Sequence, residues 1–324
     1  MLGKLTGMLG VAIIGLCGSV IVASAQERIK IAVGGQRGVG ETFAPEIGQK
    51  AGIFRKHGLE LDVLYTDSSG ETMQTVISRS AQIGVATGLA GTMGSFSKGA
   101  PVRVIGATFT GGSQLYWYVR ADSPIRSVKD TEGKTVSYSS TGSSVHASLL
   151  ALLKYSGVNF KPTPTGSSPV TYAAVLSGQV DVGWAGAPFG IEQMEKGQIR
   201  SVWKANAVPD LDKQTIRVMI ANSEDLKLKN DVYARFLAGY EETLTWAYTT
   251  PEGLKAYAEW SALSEGSARR ALDEFLPRGA LEPRKIIGIE QALDDAVAFK
   301  YTTSRLTAAQ VDELIQIPGA VRPR

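Results

Sequence analysis

The sequence contains little cysteine and little histidine, and these shortages argue against several kinds of chemistry. Its 324 residues include one cysteine, Cys17, and two histidines, His57 and His146. A single cysteine forms neither an intrachain disulfide nor a thiolate metal centre, and no histidine and cysteine cluster suits zinc. The H-E-x-x-H and G-x-S-x-G motifs are absent as well. We therefore expect no catalytic residue, no metal site and no cofactor.

Charge of one sign is also lacking. The 34 lysines and arginines against 31 aspartates and glutamates leave a net charge of +3, with no run of like charges. A nucleic-acid-binding protein normally carries a basic stripe or patch, so we expect no nucleic-acid partner. What the chain has is length, 36 glycines and 44% hydrophobic residues. That combination indicates two lobes or one large α/β domain.

The first 25 residues have the pattern of a signal peptide. Lys4 precedes an apolar stretch from Met8 to Val22, and Ala23-Ser24-Ala25 matches the small-x-small pattern that signal peptidase reads. The stretch is shorter than the roughly 20 apolar residues of a membrane-spanning helix. An uncleaved anchor and a buried N-terminal helix are the alternatives. We predict export, cleavage after Ala25 and a periplasmic mature chain that starts at Gln26.

An internal repeat with an offset of 99 residues organises much of the remainder. Residues 66–86 read TDSSGETMQTVISRSAQIGVA and residues 165–185 read TGSSPVTYAAVLSGQVDVGWA. In each copy a serine pair precedes a helical pattern and then a short strand. Ser69 and Ser168 are the predicted N-caps, and Pro169 suits the first helical position. This order of helix and strand predicts parallel α/β units.

A second matching unit lies upstream of each copy. Residues 28–33 and residues 134–138 both read as a strand, followed by a loop of small residues and a helix. The loop at residues 34–40 has the order G-G-x-x-G-x-G, so it is neither a dinucleotide fingerprint nor a P-loop. After Ser223 the pattern changes to longer amphipathic helices without visible chemistry. One apolar face comprises Val232, Phe236, Leu237, Tyr240 and Leu244. Further helices are predicted at residues 254–260, 268–276, 286–299 and 307–314, and the last of them begins with a T-A-A-Q capping box. The sequence therefore predicts an α/β protein with two lobes of similar design.

Ligands of open α/β sheets bind beyond the carboxyl ends of the strands, against helix N-termini, which favour anions and polar oxygens. Small polar residues occupy these positions here. The predicted substrate-binding residues are Gln36, Arg37, Ser68, Ser69, Thr87, Gly88, Ser139, Ser140, Thr141, Ser143, Trp184 and Gly186. Structural roles are the alternatives: the serines as helix caps only, Arg37 as a solvated loop residue, and Trp184 as a core residue, since it aligns with Val85.

Three further segments carry a family resemblance. Residues 51–60 read AGIFRKHGLE, residues 123–130 read SPIRSVKD ahead of Gly133-Lys134, and residues 175–181 read VLSGQVD. In this order behind a signal peptide, they resemble the periplasmic solute-binding proteins of ABC importers, in the nitrate/sulfonate/taurine group that is related to thiamine-pyrimidine-binding proteins. Arg79 to Gln82 and Thr131 depart from the usual pattern at a turn and a strand start, so the resemblance is a weaker guide to the ligand than to the fold.

The resemblance implies a two-lobed type II binding fold, in which each lobe is a mostly parallel sheet flanked by helices and two strands form the hinge. Lobe 1 would comprise residues 26–113 and 218–324, and lobe 2 residues 114–217. The implied function is capture of a small polar or anionic solute, sulfonate-like or carboxylate-like, and delivery to an ABC permease with a separate ATPase. The protein would be a monomer and not an enzyme. A periplasmic sensory protein and an exported enzyme on the same fold are the alternatives.

Overall fold

The computed structural model describes residues 26–319, so the predicted signal peptide and its cleavage site lie outside the described residues. The strands are β1 (Glu27–Gly34), β2 (Leu59–Thr66), β3 (Ile83–Gly88), β4 (Val102–Thr110), β5 (Leu115–Arg120), β6 (Thr135–Tyr138), β7 (Lys161–Pro164), β8 (Gly183–Gly186), β9 (Ile199–Lys204) and β10 (Thr215–Asn222).

Helices surround these strands and dominate the last third of the described chain. They are α1 (Ala44–Lys50), α2 (Ile53–Lys56), α3 (Ser69–Ile77), α4 (Leu89–Ser97), α5 (Ser144–Ser156), α6 (Ser168–Leu176), α7 (Ile191–Glu195), α8 (Ser223–Leu228), α9 (Asn230–Thr249), α10 (Pro251–Ser261), α11 (Glu265–Glu274), α12 (Ile289–Ala298) and α13 (Ala308–Leu314). Within the described residues, no helix is long and apolar enough to cross a membrane.

Five strands form the sheet of lobe 1 in the order β2-β1-β3-β10-β4. Strand β1 pairs in parallel with β2 and β3, whereas β10 runs antiparallel to both of its neighbours, β3 and β4. Strands β3 and β10 are buried along their whole length. Their near-continuous apolar sequences are those expected of central strands covered by helices on both faces.

Lobe 2 repeats this arrangement with other strands. Strand β5 runs antiparallel to β8 and β9, β6 pairs in parallel with β7, and a parallel bridge between Val136 and Val182 joins the two groups. The resulting order, β7-β6-β8-β5-β9, has its one reversed strand at the same place as lobe 1. The fold is therefore the predicted α/β architecture, with mixed sheets flanked by helices.

The sequence repeat corresponds to equivalent structure in the two lobes. Each copy covers the end of an outer strand, a helix and a central strand: β2, α3 and β3 in lobe 1, and β7, α6 and β8 in lobe 2. The hydroxyls of Thr66 and Thr72 lie 2.7 Å apart, and those of Thr165 and Thr171 lie 2.6 Å apart. Matching threonines thus join strand end to helix in both copies.

The predicted helix caps are wrong by one residue. The N-caps are Ser68 and Ser167, and Ser69 and Ser168 occupy the first helical position, with Pro169 at the second. The serine pair is ambiguous in sequence because both members suit a cap. Strand β2 ends at Thr66 and β7 ends at Pro164, and the extended backbone of Ser68 and Ser167 then places the cap at the first serine of each pair.

The C-terminal helices cover lobe 1, as their periodicity predicts. The predicted apolar face of α9 is buried throughout, at Val232, Phe236, Leu237, Tyr240 and Leu244. The T-A-A-Q capping box is confirmed at Thr307 and Gln310, ahead of α13. Helix α11 begins and ends earlier than predicted, at Glu265 and Glu274, and α12 is shorter than predicted, since it begins at Ile289 and ends at Ala298.

Candidate ligand-binding cleft

A cleft of about 450 Å³ lies between the two lobes. The carboxyl ends of β1 and β3 reach it from lobe 1, and β8 and the loop after β6 reach it from lobe 2. Its lining comprises Gly34, Gly35, Gln36, Val39, Asp67, Ser68, Ser69, Ala86, Ser139, Ser143, Ser144, Val145, Ser167, Ser168, Pro169, Trp184 and Arg217. The cleft thus lies at the strand ends, where a ligand of this fold class is expected.

Three helices, α3, α5 and α6, begin at this cleft. Their N-caps are Ser68, Ser143 and Ser167. The Ser68 hydroxyl accepts the Glu71 N–H at 3.2 Å, and the Ser143 hydroxyl accepts the His146 N–H at 3.1 Å. Each helix N-terminus carries unpaired N–H groups and about half a positive charge. Three of them around one cleft make it a favourable environment for an anion.

The serines at the first helical position differ between the lobes. In lobe 1, the Ser69 hydroxyl accepts the N–H of Gly88 at 3.0 Å. In lobe 2, Ser168 is 2% exposed and its hydroxyl has no hydrogen-bond partner among the described residues. The buried indole N–H of Trp184 likewise has no acceptor there. Two polar groups of lobe 2 are therefore left for a ligand in the cleft.

Arg217 is a charged cleft residue that the sequence reasoning did not predict. It lies on β10, is 8% exposed, and lines the cleft. Its Nε donates to the Ser144 hydroxyl of lobe 2 at 2.6 Å, and its Nη1 donates to Oε2 of Glu41 at 2.8 Å. Its Nη2 makes no hydrogen bond to residues 26–319, so this group is available to a ligand.

Glu41 completes the charge balance beneath the cleft. Its side chain is fully buried, and its other oxygen accepts from the Thr108 hydroxyl at 3.2 Å. The neighbouring Gln114 is buried, with neither amide atom hydrogen-bonded to a described residue. A signal for Arg217 exists in the sequence, since a lone arginine inside the apolar segment TIRVMIAN requires a buried partner.

Six predicted binding residues line the cleft, namely Gln36, Ser68, Ser69, Ser139, Ser143 and Trp184. Their contacts also cross it or stabilise its wall: Gln36 Nε2 lies 3.5 Å from the Ser167 hydroxyl, and the Ser139 hydroxyl donates to that of Ser143 at 2.8 Å. Trp184 is 6% exposed, so it is both a core residue and a wall of the cleft.

The other six, Arg37, Thr87, Gly88, Ser140, Thr141 and Gly186, do not line it. Thr87 is fully buried and donates to the Val218 carbonyl, while Ser140 has a buried hydroxyl without a partner among the described residues and Thr141 is exposed. Gly186 lies beside Gln114: a Cβ there would approach the amide oxygen to 3.4 Å. These residues support the loops or the floor of the cleft.

Gly88 and Gly91 hold the two lobes close together. A Cβ on Gly91 would lie 2.2 Å from the Gly142 carbonyl oxygen, and one on Gly88 would lie 2.7 Å from it. The start of α4 in lobe 1 therefore contacts the serine-rich loop of lobe 2 backbone to backbone. Only glycine permits this approach, which predicts that the contact depends on both residues.

Arg37 lies in a second groove that continues the cleft outward past Gln36, Val39 and Pro169. Its Nε donates to both carboxylate oxygens of Glu46, at 2.9 and 3.0 Å. Burial raises the pKa of Glu46, but hydrogen bonds from Lys50, Tyr65 and Arg37 outweigh it and lower the pKa below its ordinary value. The Arg37 charge is thus shared with a carboxylate at the mouth of the cleft.

His146 does not line the cleft. Its ring stacks on Tyr138 with centroids 4.4 Å apart, and its Nδ1 lies 2.6 Å from the hydroxyl of Tyr301. Burial lowers the pKa of His146. Tyr301 belongs to lobe 1, so this hydrogen bond is a further contact between the lobes. Among residues 26–319, no three histidines, cysteines or acidic residues are grouped as metal ligands would be.

Comparisons with known proteins agree with this architecture. The family model described as "NMT1/THI5 like" matches residues 46–254, which is more than half of the chain. A comparison with curated proteins found no significant match.

Solved structures of periplasmic binding proteins are similar in fold. The alkanesulfonate-binding protein SsuA from Xanthomonas axonopodis pv. citri, bound to MOPS, has a TM-score of 0.73 at 16% identity, over 90% of this chain and 99% of that one. The aliphatic sulphonate-binding protein SsuA from Escherichia coli has a TM-score of 0.69 at 17% identity, over 92% of this chain and 94% of that one. The nitrate-binding protein NrtA from Synechocystis PCC 6803 has a TM-score of 0.68 at 14% identity, over 90% of this chain and 86% of that one.

Proposed function

The chain belongs to the NMT1/THI5-like family, and from this premise we propose that it is an exported binding protein for a small anionic solute. It captures the solute between its two lobes and delivers it to an ABC permease that a separate ATPase drives. The observation that carries the proposal is the cleft itself, where three helix N-termini, their serines and the free Nη2 of Arg217 meet.

The electrostatics favour a solute with one oxyanion group. Arg217 is already paired with Glu41, and Asp67 also lines the cleft, so the side chains there supply no net positive charge. The positive field comes from the helix N-termini, which suit a sulfonate, a carboxylate or nitrate. The similar solved proteins are described as binding alkanesulfonate, aliphatic sulphonate and nitrate, and we propose the same class of ligand here.

Binding without catalysis is the better account of these groups. Ser139 and Ser143 are hydrogen-bonded to each other, and His146 is bound to Tyr301 outside the cleft, so these serines have no base beside them. Hydroxyls, N–H groups and a guanidinium hold an anion by hydrogen bonds. We therefore propose that the protein is not an enzyme.

The connections between the lobes support closure around the ligand. The chain leaves lobe 1 between β4 and β5 and returns at β10. We propose that lobe 1 comprises residues 26–113 and 218–324 and lobe 2 residues 114–217. The pairing of β10 from Thr215 onward supports a return point three residues earlier. Two such crossings form a hinge, and a ligand that contacts both lobes stabilises the closed form.

The test is a titration of the chain from Gln26 onward with methanesulfonate, acetate and nitrate, with tetramethylammonium, which has no N–H donor, as the cation control. A ligand at a hundred times its Kd adds about 2.7 kcal/mol to stability, which raises the unfolding midpoint by several degrees. Anions should raise it and the cation should not. A midpoint that no anion changes would contradict the proposal.

Two arginine variants locate the site. Arg217→Lys keeps a charge beside Glu41 but lacks the free Nη2, so it should weaken the anion about tenfold. Arg103→Lys is the matched control, because Arg103 also lies on a strand of the same sheet and pairs with a glutamate, Glu313, away from the cleft. Equal effects of the two changes would place the anion elsewhere.

Export and monomeric state are separate parts of the proposal. In a Gram-negative host that expresses all 324 residues, the periplasmic fraction should contain a chain that starts at Gln26. Size-exclusion chromatography with light scattering should give the mass of one chain. An unprocessed chain in the membrane fraction would indicate the uncleaved anchor instead.

A further inference from the structure

Ser144 also lines a third groove, which lies between the lobes and is separate from both the cleft and the groove that contains Arg37. The groove lies between α5 of lobe 2 and α12 of lobe 1, and residues 208–216 form its third side. An inner part of about 370 Å³ and an outer part of about 660 Å³ share Leu211, Asp295 and Phe299. The outer part is large enough for a small organic molecule, and the inner part is a narrow extension of it.

Two deeply buried polar groups of the inner groove have no partner. Ser148 is 1% exposed and Gln214 is 5% exposed, and neither the Ser148 hydroxyl nor Oε1 of Gln214 makes a hydrogen bond to a described residue. Leaving a buried polar atom without a partner is unfavourable. Both atoms can accept a hydrogen bond from a molecule in the groove.

Asp295 adds a buried carboxylate to the same groove. It is 7% exposed, and its Oδ1 accepts from Nε2 of Gln291 at 3.0 Å. The nearest cation, Nζ of Lys154, lies 4.0 Å away on a side chain that is 63% exposed. Burial raises the pKa of Asp295, and the hydrogen bonds from Gln291 and Gln214 and the charge of Lys154 only partly oppose this, while the charge of Asp210 adds to the rise. The carboxylate is therefore incompletely compensated.

Apolar side chains form the rest of the inner groove. Leu89 and Phe299 of lobe 1 lie on one side, Ala147 of lobe 2 lies on the other, and Leu211 lies in the segment that connects the lobes. The groove thus combines a hydrocarbon surface with one carboxylate and two free acceptors. Such a combination recognises a molecule that has a hydrocarbon chain and a donor-rich cationic end.

We propose that this groove is a second binding site, specific for a small alkylammonium ion. The ammonium donates to the Asp295 carboxylate and to Oε1 of Gln214, and the alkyl chain lies against Leu211 and Phe299. The assignment does not depend on the anion proposed for the cleft, because none of these four residues lines the cleft.

Occupation of this groove is coupled to the cleft. The groove lies between α5 and α12, which belong to different lobes, so an ion that fills it lies against Ala147 of α5 as well as Asp295 of α12 and stabilises the arrangement in which the lobes lie together. The start of α5 is also the point where the Ser144 hydroxyl accepts from Nε of Arg217. Since coupling between two sites is reciprocal, an anion in the cleft and the alkylammonium should each raise the affinity for the other.

The experiment measures binding of n-hexylammonium chloride to the full mature chain by calorimetry, with 1-hexanol as the uncharged probe. Asp295→Asn keeps the shape and the acceptor for Gln291 but removes the charge. It should weaken n-hexylammonium about tenfold, the scale of one charged hydrogen bond. Asp294→Asn is the matched control: Asp294 is the preceding residue, is 63% exposed, and pairs with Arg305 outside the groove. It should change the Kd by less than about twofold.

A second variant tests the site independently, in case Asp295→Asn does not fold. Ala147→Leu adds side-chain volume to the half-buried wall of the groove and should also abolish saturable binding. The proposal is overturned if n-hexylammonium shows no saturable binding to the unaltered chain, if Asp295→Asn and Asp294→Asn have the same effect, or if 1-hexanol binds as tightly. If no anion binds the cleft, these three results still test the groove, because they do not depend on an anion being bound.

Discussion

Arg217 and Glu41 form a buried ion pair beneath the cleft, with Nη1 and Oε2 2.8 Å apart. Glu41 has no exposed side-chain surface and Arg217 has about a tenth of its side chain exposed, on the cleft side. The same guanidinium reaches Ser144 of lobe 2. The Arg217 side chain therefore contacts the buried Glu41 carboxylate, the start of α5 and the cleft where a ligand would bind.

The first prediction separates the stability role of this pair from its effect on affinity. Glu41→Gln removes the negative charge but keeps an acceptor for Nη1. Stability in urea should fall by about 3 kcal/mol, because the buried Arg217 charge loses its partner. Affinity for an anion should rise about tenfold, because a nearby like charge is gone. A weaker anion affinity in calorimetry would show that Glu41 positions Arg217 rather than neutralising it.

The second prediction uses the repeat, because Ser69 and Ser168 are equivalent positions with different partners. Ser168→Ala should leave the free energy of unfolding without ligand nearly unchanged, and should weaken the ligand by about 0.5–1.5 kcal/mol. Ser69→Ala should reduce stability by about 1 kcal/mol even without ligand, since the Gly88 N–H loses its acceptor. Urea unfolding and calorimetry of both variants check this. Equal losses of stability would refute it.

The third prediction concerns the contact between α4 and the serine-rich loop. Gly91→Ala places a methyl group where the Gly142 carbonyl now lies, so the lobes should separate and ligand affinity should fall about tenfold or more. Gly266→Ala is the control, because the nearest atom to its Cβ would be 4.0 Å away. Small-angle scattering should give a larger radius for Gly91→Ala alone. Unchanged affinity would mean that the proposed ligand does not need this contact.

The fourth prediction is a pH dependence from His146. Burial lowers its pKa from the ordinary value of 6.5, so the folded protein resists protonation there. The unfolded state then binds more protons, and stability is complete above the ordinary pKa and is lost as the pH falls through the folded-state pKa. His146→Asn should flatten this part of a plot of unfolding free energy against pH. A slope that survives the substitution would assign it to other groups.

Patterns that depend on local chemistry predicted most of the fold. The repeat around Thr66 and Thr165 predicts where a strand ends and a helix begins, and the T-A-A-Q motif with Gln310 predicts a helix cap. These features depend on residues that are neighbours in sequence. The serine pairs show the limit of this reasoning. When two adjacent serines are equally good caps, only the backbone dihedral angles decide which one is the N-cap. The predicted caps therefore lie one residue too late in the chain.

The cleft was only half predictable for a related reason. Ser139 and Ser143 lie in the loop between β6 and α5, and Trp184 lies on the short strand β8, so their positions in sequence indicate their place at the cleft. Arg217 and Glu41 meet only because β10 returns from lobe 2 to the centre of the first sheet, 176 residues along the chain from Glu41. Sequence reasoning points to Arg37, which lies in a glycine-rich loop, but tertiary packing gives it Glu46 as a partner.

The duplicated strand and helix units have a consequence for how a ligand is oriented. Because α3 and α6 begin at the cleft from opposite lobes, the backbone is nearly the same at either end of a bound molecule, as in a pseudo-twofold arrangement. Backbone dipoles alone would hold a symmetric ion equally well both ways round. The two serines break this equality, since the Ser69 hydroxyl already accepts the Gly88 N–H whereas the Ser168 hydroxyl has no partner among the described residues. An elongated solute would therefore be held in one direction rather than equally in both.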